Sequence, residues 1–331
     1  MIDQTTYPEL EAGTVPADEM TLRPENNYVN ILVLRELESH AVFTTNGEDA
    51  DIATVPLNPA EEPQDYAPGL MFMRKQTGSD RRFGKALQRD LGLFEDGEDA
   101  CTMQVNEMCQ DCVECILYGS AASSDEGSDV SITSRVMYDT AYSLRDASVV
   151  IDEKFQNAPG DDYAKSAEAT IREPDFFEPG TMFPSVVTLH DATPAELAFV
   201  LGITAKNKRY GATTSRLGRV NNQILGVYAG SEEGPANLEL TRGTIGRLVE
   251  DSETDYDSLT DVVMAETLAP SRVANYTQDV FEDAIDVDGL DLQRVSNETV
   301  EKLLDTTSGD ELGDVLVEQR KHSRAFLDQA E

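Results

Sequence analysis

Between Leu197 and Ser231 the chain carries no Asp or Glu, although 63 of its 331 residues are acidic. At that density about six or seven acids would fall in a stretch of this length. An ionised carboxylate must stay in water or find a partner. Acid-rich segments can therefore only clothe a fold, while an acid-free one must either fill it or face something anionic. The ends of the stretch, Leu197 to Ala205 and Ile224 to Tyr228, are apolar and read as buried elements. The middle, KNKRYGATTSRLGRVNNQ from Lys206 to Gln223, is too polar for a core. It gathers Lys206, Lys208, Arg209, Arg216 and Arg219 among hydroxyls and amides. In a chain of formal charge -37, such a segment suits a surface kept for a polyanion.

That charge, with few apolar residues, would mean disorder. Here hydrophobic residues make up 40% and the acids are spread along the length, with 18 Arg against 8 Lys. The composition fits a folded protein of a very salty cytoplasm, as in a halophile. Screening there is severe, with a Debye length of about 3 Å at 1 M salt, so a surface cation acts by contact. Arg209 and Arg216 can make bidentate contacts to phosphate. The length suggests two or three folding units, or one domain with large insertions. The first residues, MIDQTTYPELEAG, lack the basic and apolar regions of a signal peptide. No apolar run approaches the roughly 20 residues of a membrane span. We expect a cytoplasmic chain with no membrane partner and reduced cysteines.

Residues 1–27 read as an irregular arm. Tyr28 to Leu37 has the apolar density of a core strand, followed by His40 to Thr45, the hairpin signal Asn46-Gly47 and a return strand from Asp51 to Leu57. Leu70 to Arg74 is a further strand. Ser79 reads as the N-cap of a helix burying Phe83, Leu87, Leu91 and Phe94, with Arg81, Arg82, Lys85 and Arg89 on the opposite face. Ser120 to Asp129 is a loop, and Ile132 to Ile151 a strand pair. Glu153 to Gly180 leaves the core. Met182 to Leu189 is a strand, Thr193-Pro194 opens a helix, and Ile224 to Tyr228 is a strand. From Glu239 the pattern is helical and acidic, with a capping box of Ser308 and Glu311 at the last helix. Strands with two helices, then helices only, indicate an α+β core with a helical appendage.

The four cysteines, Cys101, Cys109, Cys112 and Cys115, lie within fifteen residues in the spacing C-x7-C-x2-C-x2-C. Four thiolates so close suit a tetrahedral structural Zn2+ site, with no open position for water activation. An iron–sulfur cluster competes through the shared C-x2-C-x2-C run, but the fourth cysteine lies upstream and no proline follows Cys115. Disulfides fit a cytoplasmic chain poorly. Glu98, Asp99, Glu107, Asp111 and Glu114 around the cysteines argue against a DNA-reading finger. His40, His190 and His322 are isolated in sequence, and no phosphate-binding or nucleophile motif is present, so nothing here argues for an enzyme.

Phe72, Arg74, Lys75 and Gln76 join the basic segment in suiting a single-stranded nucleic acid groove, with Tyr210 as a stacking surface and Gly211 and Gly218 allowing close approach. Several segments are distinctive as a set: RE-x-ES-x-AVFTTNGE (Arg35 to Glu48), MF-x-RKQT (Met71 to Thr77), C-x2-C-x2-YG (Cys112 to Gly119), FPSVVTL-x-D (Phe183 to Asp191) and RYGA-x-T-x-R-x-G-x-V-x-N (Arg209 to Asn221). They resemble the backbone subunits of type I-D CRISPR effector (Cascade) complexes, the Csc-two branch of the seven-type Cas proteins. The similarity runs from about Tyr28 to Leu240 and is weakest between Glu153 and Gly180.

The resemblance implies an RRM/ferredoxin-like core of the RAMP type, discontinuous over residues 28–95, 120–152 and 181–238. It also implies a zinc-binding insertion (96–119), a lid or thumb (153–180) and an acidic helical domain (239–331). Its implied role is non-catalytic. Copies polymerise along a CRISPR guide RNA beside other effector subunits and hold it for pairing with target DNA in antiviral defence. RNA contact carries onto Arg74, Lys75, Lys208, Arg209 and Arg216, with Arg81, Arg82, Lys85, Arg219 and Asn221 as further candidates. Phosphate recognition is expected rather than base readout, because no aromatic sheet motif is evident. Phe176 and Phe177 either wedge bases apart or pack under a loop. Two other readings stand beside this one: a metal-dependent endoribonuclease of the same superfamily, using an Asp, and a zinc-dependent assembly protein whose basic strip binds an acidic neighbour.

Overall fold

Tyr28–Leu37 (β1) is the spine of the molecule, and its run of β-branched and leucine side chains is buried on both faces. A strand covered on both sides loses the alternation of a half-exposed one, which is why YVNILVLREL reads as nearly continuous apolar sequence. The computed structural model describes residues 2–45, 47–58, 64–94, 101–104, 107–121, 131–153, 155–157, 170–211, 217–308 and 310–329. After β1 come β2 (Pro68–Met71), α1 (Met73–Asp90), α2 (Val113–Leu117), β3 (Val136–Tyr138), β4 (Ala141–Asp146) and β5 (Met182–His190). Then follow α3 (Pro194–Lys206), β6 (Arg209–Tyr210), β7 (Gly218–Gly230), α4 (Asn237–Glu250), α5 (Pro270–Asp288), β8 (Leu292–Arg294), α6 (Asn297–Thr306) and α7 (Asp310–Leu327).

The main sheet is antiparallel, in the order β6-β7-β1-β5-β3, with β8 also pairing β7. β1 lies against β5 from Tyr28↔His190 to Glu36↔Met182 without a slip. Against β7 the register shifts between Leu32 and Val33, so Leu225 is bulged out between Gly226 and Ile224.

On one face Val29, Ile31 and Val33 join Val187, Leu189, Val227 and Ala229 in a cluster with α3 residues Leu197 to Leu201, and Phe83 and Leu87 of α1 pack against it. α3 is buried on nearly every side, as its lack of a polar face foretold. Gly84 lets α1 close on it: a Cβ there would lie 2.9 Å from Ile203 Cδ1. On the other face Leu32, Val186 and Tyr228 pack with Leu240 of α4 and Phe281 of α5, and Leu34 and Met182 pack with Ile245 and Leu248. The 239–331 region therefore supplies a second helical layer through α4 and α5, while α6 and α7 buttress α3 through Leu303, Leu312 and Leu316.

Several expected elements differ. α1 begins at Met73 after Phe72, with no side-chain cap. Ser79 lies inside the helix and turns its hydroxyl to the Arg209 carbonyl. The strands around Gly47 reduce to one bridge, Thr44↔Ala50, although Gly47 takes the left-handed φ of 81° that the turn needs; Asn46 lies outside the described residues. β3 and β4 do not pair with each other, since β3 extends the main sheet and β4 pairs β2. Within 153–180, Phe155–Asn157 pairs Thr170–Arg172, and Phe176–Phe177 pairs Ile151–Asp152. Ser308 and Glu311, expected to form a capping box at α7, flank Gly309, which lies outside the described residues.

Candidate nucleic-acid interface and metal-ligand cluster

Helix α2 begins at Cys112, whose sulfur accepts from the Cys115 amide at its N-terminus. The Sγ atoms of Cys101, Cys109, Cys112 and Cys115 all lie within 4.8 Å of one another. Tetrahedral metal–sulfur bonds of about 2.3 Å would place sulfurs about 3.8 Å apart, so the set fits a tetrathiolate centre. The amides of Cys109, Cys112 and Cys115 donate to the sulfurs of Cys101, Cys109 and Cys112 at 3.3, 3.3 and 3.4 Å. Such donors favour thiolate over thiol. Three of the four cysteines are buried and Cys109 is partly exposed.

Two residues expected on an RNA surface belong to this centre instead. Lys85 is 1% exposed, and its ammonium lies 2.8 Å from Cys101 Sγ and 3.3 Å from Cys115 Sγ. It also pairs with the fully buried Glu114 at 2.5 Å. Burial works against its charge, but Cys112 and Glu114 outweigh that, and its pKa is raised. Arg81 donates to Glu114 at 2.5 Å and to the Gly119 carbonyl at 2.7 Å. Both side chains lie on the face of α1 that the cysteine segment covers, so neither is free to meet a polyanion. Asp111, on the outer side of the cluster, holds Arg320 and Arg324 at 2.9 and 2.5 Å.

Two more candidates are withdrawn by burial. Gln76 donates to the Met71 and Asp139 carbonyls at 3.0 and 2.9 Å. Tyr210, fully buried, donates its hydroxyl to Asp80 at 2.6 Å, so it offers no stacking surface. Lys206 donates to the Thr307 carbonyl at the end of α6. Gly218 and Gly211 serve contacts within the chain: a Cβ on Gly218 would lie 2.2 Å from that of Ala41, and Gly211, at φ 144°, faces the Val42 carbonyl. Phe177 is buried in a ring cluster with Phe43 and Phe183, which answers the wedge reading for that residue with packing. Phe176 is half-buried and edge-on to His40.

Of the remaining cations, Arg219 and Arg74 both meet the segment from Glu38 to Thr45. Arg209 and Arg219 face each other directly across the short β6–β7 ladder, and both are exposed. Arg219 pairs with Glu38 at 2.5 Å, and its amide donates to Ser39 Oγ. Arg209 donates to the Leu217 carbonyl at 3.2 Å. Lys208 is half-buried, with its pKa lowered by burial and by Arg219, against Glu38. Six residues along from Ser39, Thr45 accepts from Arg74, whose guanidinium lies 5.3 Å from the Phe72 ring centre. Lys75 beside it has its pKa lowered by burial and by Arg74, while Asp51 opposes. The segment from Glu38 to Thr45 thus touches both groups. Arg74 and Lys75 also open α1, whose first turn holds no acid and no side-chain cap, leaving its positive dipole end and free amides available to an anion. Arg82 is exposed further along α1 and Asn221 is half-buried on β7. Arg216 lies outside the described residues.

A family model described as Csc2 Crispr matches residues 14–312. The chain belongs to the Csc2 family of CRISPR proteins. Its fold is similar to that of "Crystal structure of Thermofilum pendens Csc2", at 16% identity, over 92% of this chain and 90% of that one, with a TM-score of 0.56. Two further solved structures match less closely. "CRISPR RNA-guided surveillance complex" aligns at 12% identity over 88% of this chain and 98% of the other, TM-score 0.45. "Type IV-B CRISPR Complex" aligns at 15% identity over 60% and 90%, TM-score 0.42. No curated protein matches. No helix among the described residues is long and apolar enough to cross a membrane.

Proposed function

We propose that this chain is a non-catalytic, guide-RNA-binding backbone subunit of a type I-D CRISPR effector complex in the cytoplasm. Copies polymerise along the RNA, beside other subunits, and present it for pairing with target DNA. Membership of the Csc2 family supports the setting. The observation that carries RNA contact is the facing pair Arg209 and Arg219. Like charges directly opposite on adjacent strands repel, and a single Glu38 pairs only one of them. A phosphodiester strand supplies the missing charge, with Lys208, Arg74 and Lys75 extending the grip and Arg82, Arg216 and Asn221 as outlying candidates.

The order β1-α1-β3-β5-α3-β7, with strands arranged β7-β1-β5-β3, supports an RRM-like core. Such folds commonly stack bases on an open sheet face, but here that face lies under α4 and α5. This favours binding at the rim through phosphate and sugar, suited to guides of any sequence. The four cysteines would hold a structural Zn2+ that ties the insertion to α1.

Fluorescence anisotropy with several unrelated single-stranded RNAs, in molar KCl, tests the reading. The double variant Lys208→Ala/Arg209→Ala should weaken all of them alike, by about tenfold or more. A loss confined to one sequence, or none, would refute it. Cleavage of RNA by the purified complex on adding a divalent metal would favour the endoribonuclease reading instead.

A further inference from the structure

The turn that carries Lys208 and Arg209 is held from beneath by a buried polar cage that includes none of the cysteines. Asp80, fully buried in α1, accepts from Asn207 Nδ2 at 2.7 Å and from the Tyr210 hydroxyl at 2.6 Å on one oxygen. Its other oxygen accepts from the Tyr138 hydroxyl at 2.9 Å. Asn207 Nδ2 also reaches Ser79 Oγ at 3.1 Å, and Asn207 Oδ1 accepts the Arg209 amide at 3.3 Å. Ser79 donates to the Arg209 carbonyl. Asn222 of β7 donates to the carbonyls of Thr204 and Asn207 and to the Tyr210 hydroxyl at 2.9 to 3.0 Å, and accepts from Arg35 Nη1 at 2.9 Å.

Two features make this more than ordinary packing. The backbone of Arg209 is held on its carbonyl by Ser79 of α1 and on its amide by Asn207, whose own side chain is bonded to Ser79 and Asp80 of α1. The cage also contains two buried ionisable side chains, Arg35 and Asp80. Arg35 is completely buried, lies 5.3 Å from the Tyr210 ring centre and has no hydrogen-bond partner at Nε or Nη2. Burying such groups away from water costs stability unless they are well partnered, so their presence here points to a role other than stability. Holding a repelling pair of arginines face to face is such a role, because a pre-set geometry spares the ordering cost that contact would otherwise incur.

We propose that Asp80 and Asn207 are positioning residues: through the Arg209 backbone they hold Lys208 and Arg209 in the orientation that contacts the nucleic acid strand. The proposal rests on the RNA-binding reading above. It predicts that releasing the cage loses phosphate contacts, without touching any charge on the surface.

The test compares full-length, metal-loaded wild type with Asn207→Ala, Tyr210→Phe and Lys208→Ala/Arg209→Ala, measuring affinity for one mixed-sequence single-stranded RNA across a series of KCl concentrations. Each phosphate contact contributes about 0.7 to the slope of log affinity against log salt. Asn207→Ala should weaken binding about tenfold and lower the slope by about 0.7 or more. It should cost nothing further when added to the double lysine–arginine variant. Tyr210→Phe removes one hydroxyl only and keeps the test open if Asn207→Ala fails to fold; it should shift both quantities in the same direction by less. Weaker binding with an unchanged slope would mean a merely structural cage and would overturn the proposal, as would full additivity with the double variant. A double variant that itself binds normally would sink the RNA reading, whatever the cage does.

Discussion

Glu114 joins two cations in the interior. Its carboxylate is fully buried between Lys85 and Arg81, both at 2.5 Å, and Lys85 in turn reaches three of the four sulfurs, at 2.8, 3.3 and 4.0 Å. Four thiolates around a divalent metal would carry a net negative charge, which the ammonium would offset, while the carboxylate fixes the ammonium in place. Glu114→Ala leaves two cations without their anion, and such deletions cost about 3–5 kcal/mol. We expect a lower melting temperature and faster release of metal to a chelator, read with a colorimetric zinc indicator; a variant that matches wild type in both would contradict this role. Sequence periodicity places residues 81, 82, 85 and 89 together on the side of the helix opposite its apolar stripe. It cannot show what covers that face, because the cover comes from a separate segment folded around a metal-ligand cluster. Arg74 and Arg209 were legible as surface cations because local polarity surrounds them. Gln76 and Tyr210 were not legible as buried, since their partners, Asp139 and Asp80, are distant in sequence.

Helix starts show how far local signals reach. Thr193, Pro194 and Glu196 form a complete capping box at α3, with the Thr193 hydroxyl accepting from the Glu196 amide and the Glu196 carboxylate accepting from Thr193. Each partner lies within three residues, so the sequence contains the whole device. Thr193 is also buried and donates to Gln319 of α7 at 3.0 Å. Thr193→Ala should therefore cost near the upper end of the usual range for a lost cap, about 2 kcal/mol, read as a fall in thermal midpoint, whereas Thr193→Ser should recover most of it. Ser79 offers the same local signal and fails as a cap, because the Arg209 carbonyl competes for its hydroxyl from 130 residues away. The strands themselves were legible where apolar density marks β1, β5 and the second half of β7. β8 was missed because Leu292–Arg294 has a single buried residue in an acidic setting, and its pairing with β7 is entirely non-local.

At the scale of the whole molecule, a formal charge of -37 works against compaction, and only counter-ions relieve it. Raising KCl from about 0.2 to about 2 M shrinks the screening length to a few ångströms and should raise the thermal midpoint; a flat or falling curve would mean that the acids are already paired. The sequence conveyed that acids clothe the fold, but not that the C-terminal helices close over the sheet. That closure depends on Tyr228, Leu32 and Phe281 meeting across some 250 residues of chain. It has one more consequence. With Leu32, Val186 and Tyr228 sealed inside, this sheet face offers nucleobases no aromatic floor, and a polynucleotide held at the rim by its phosphates, as proposed, would keep its pairing edges turned to the solvent, where a complement could read them.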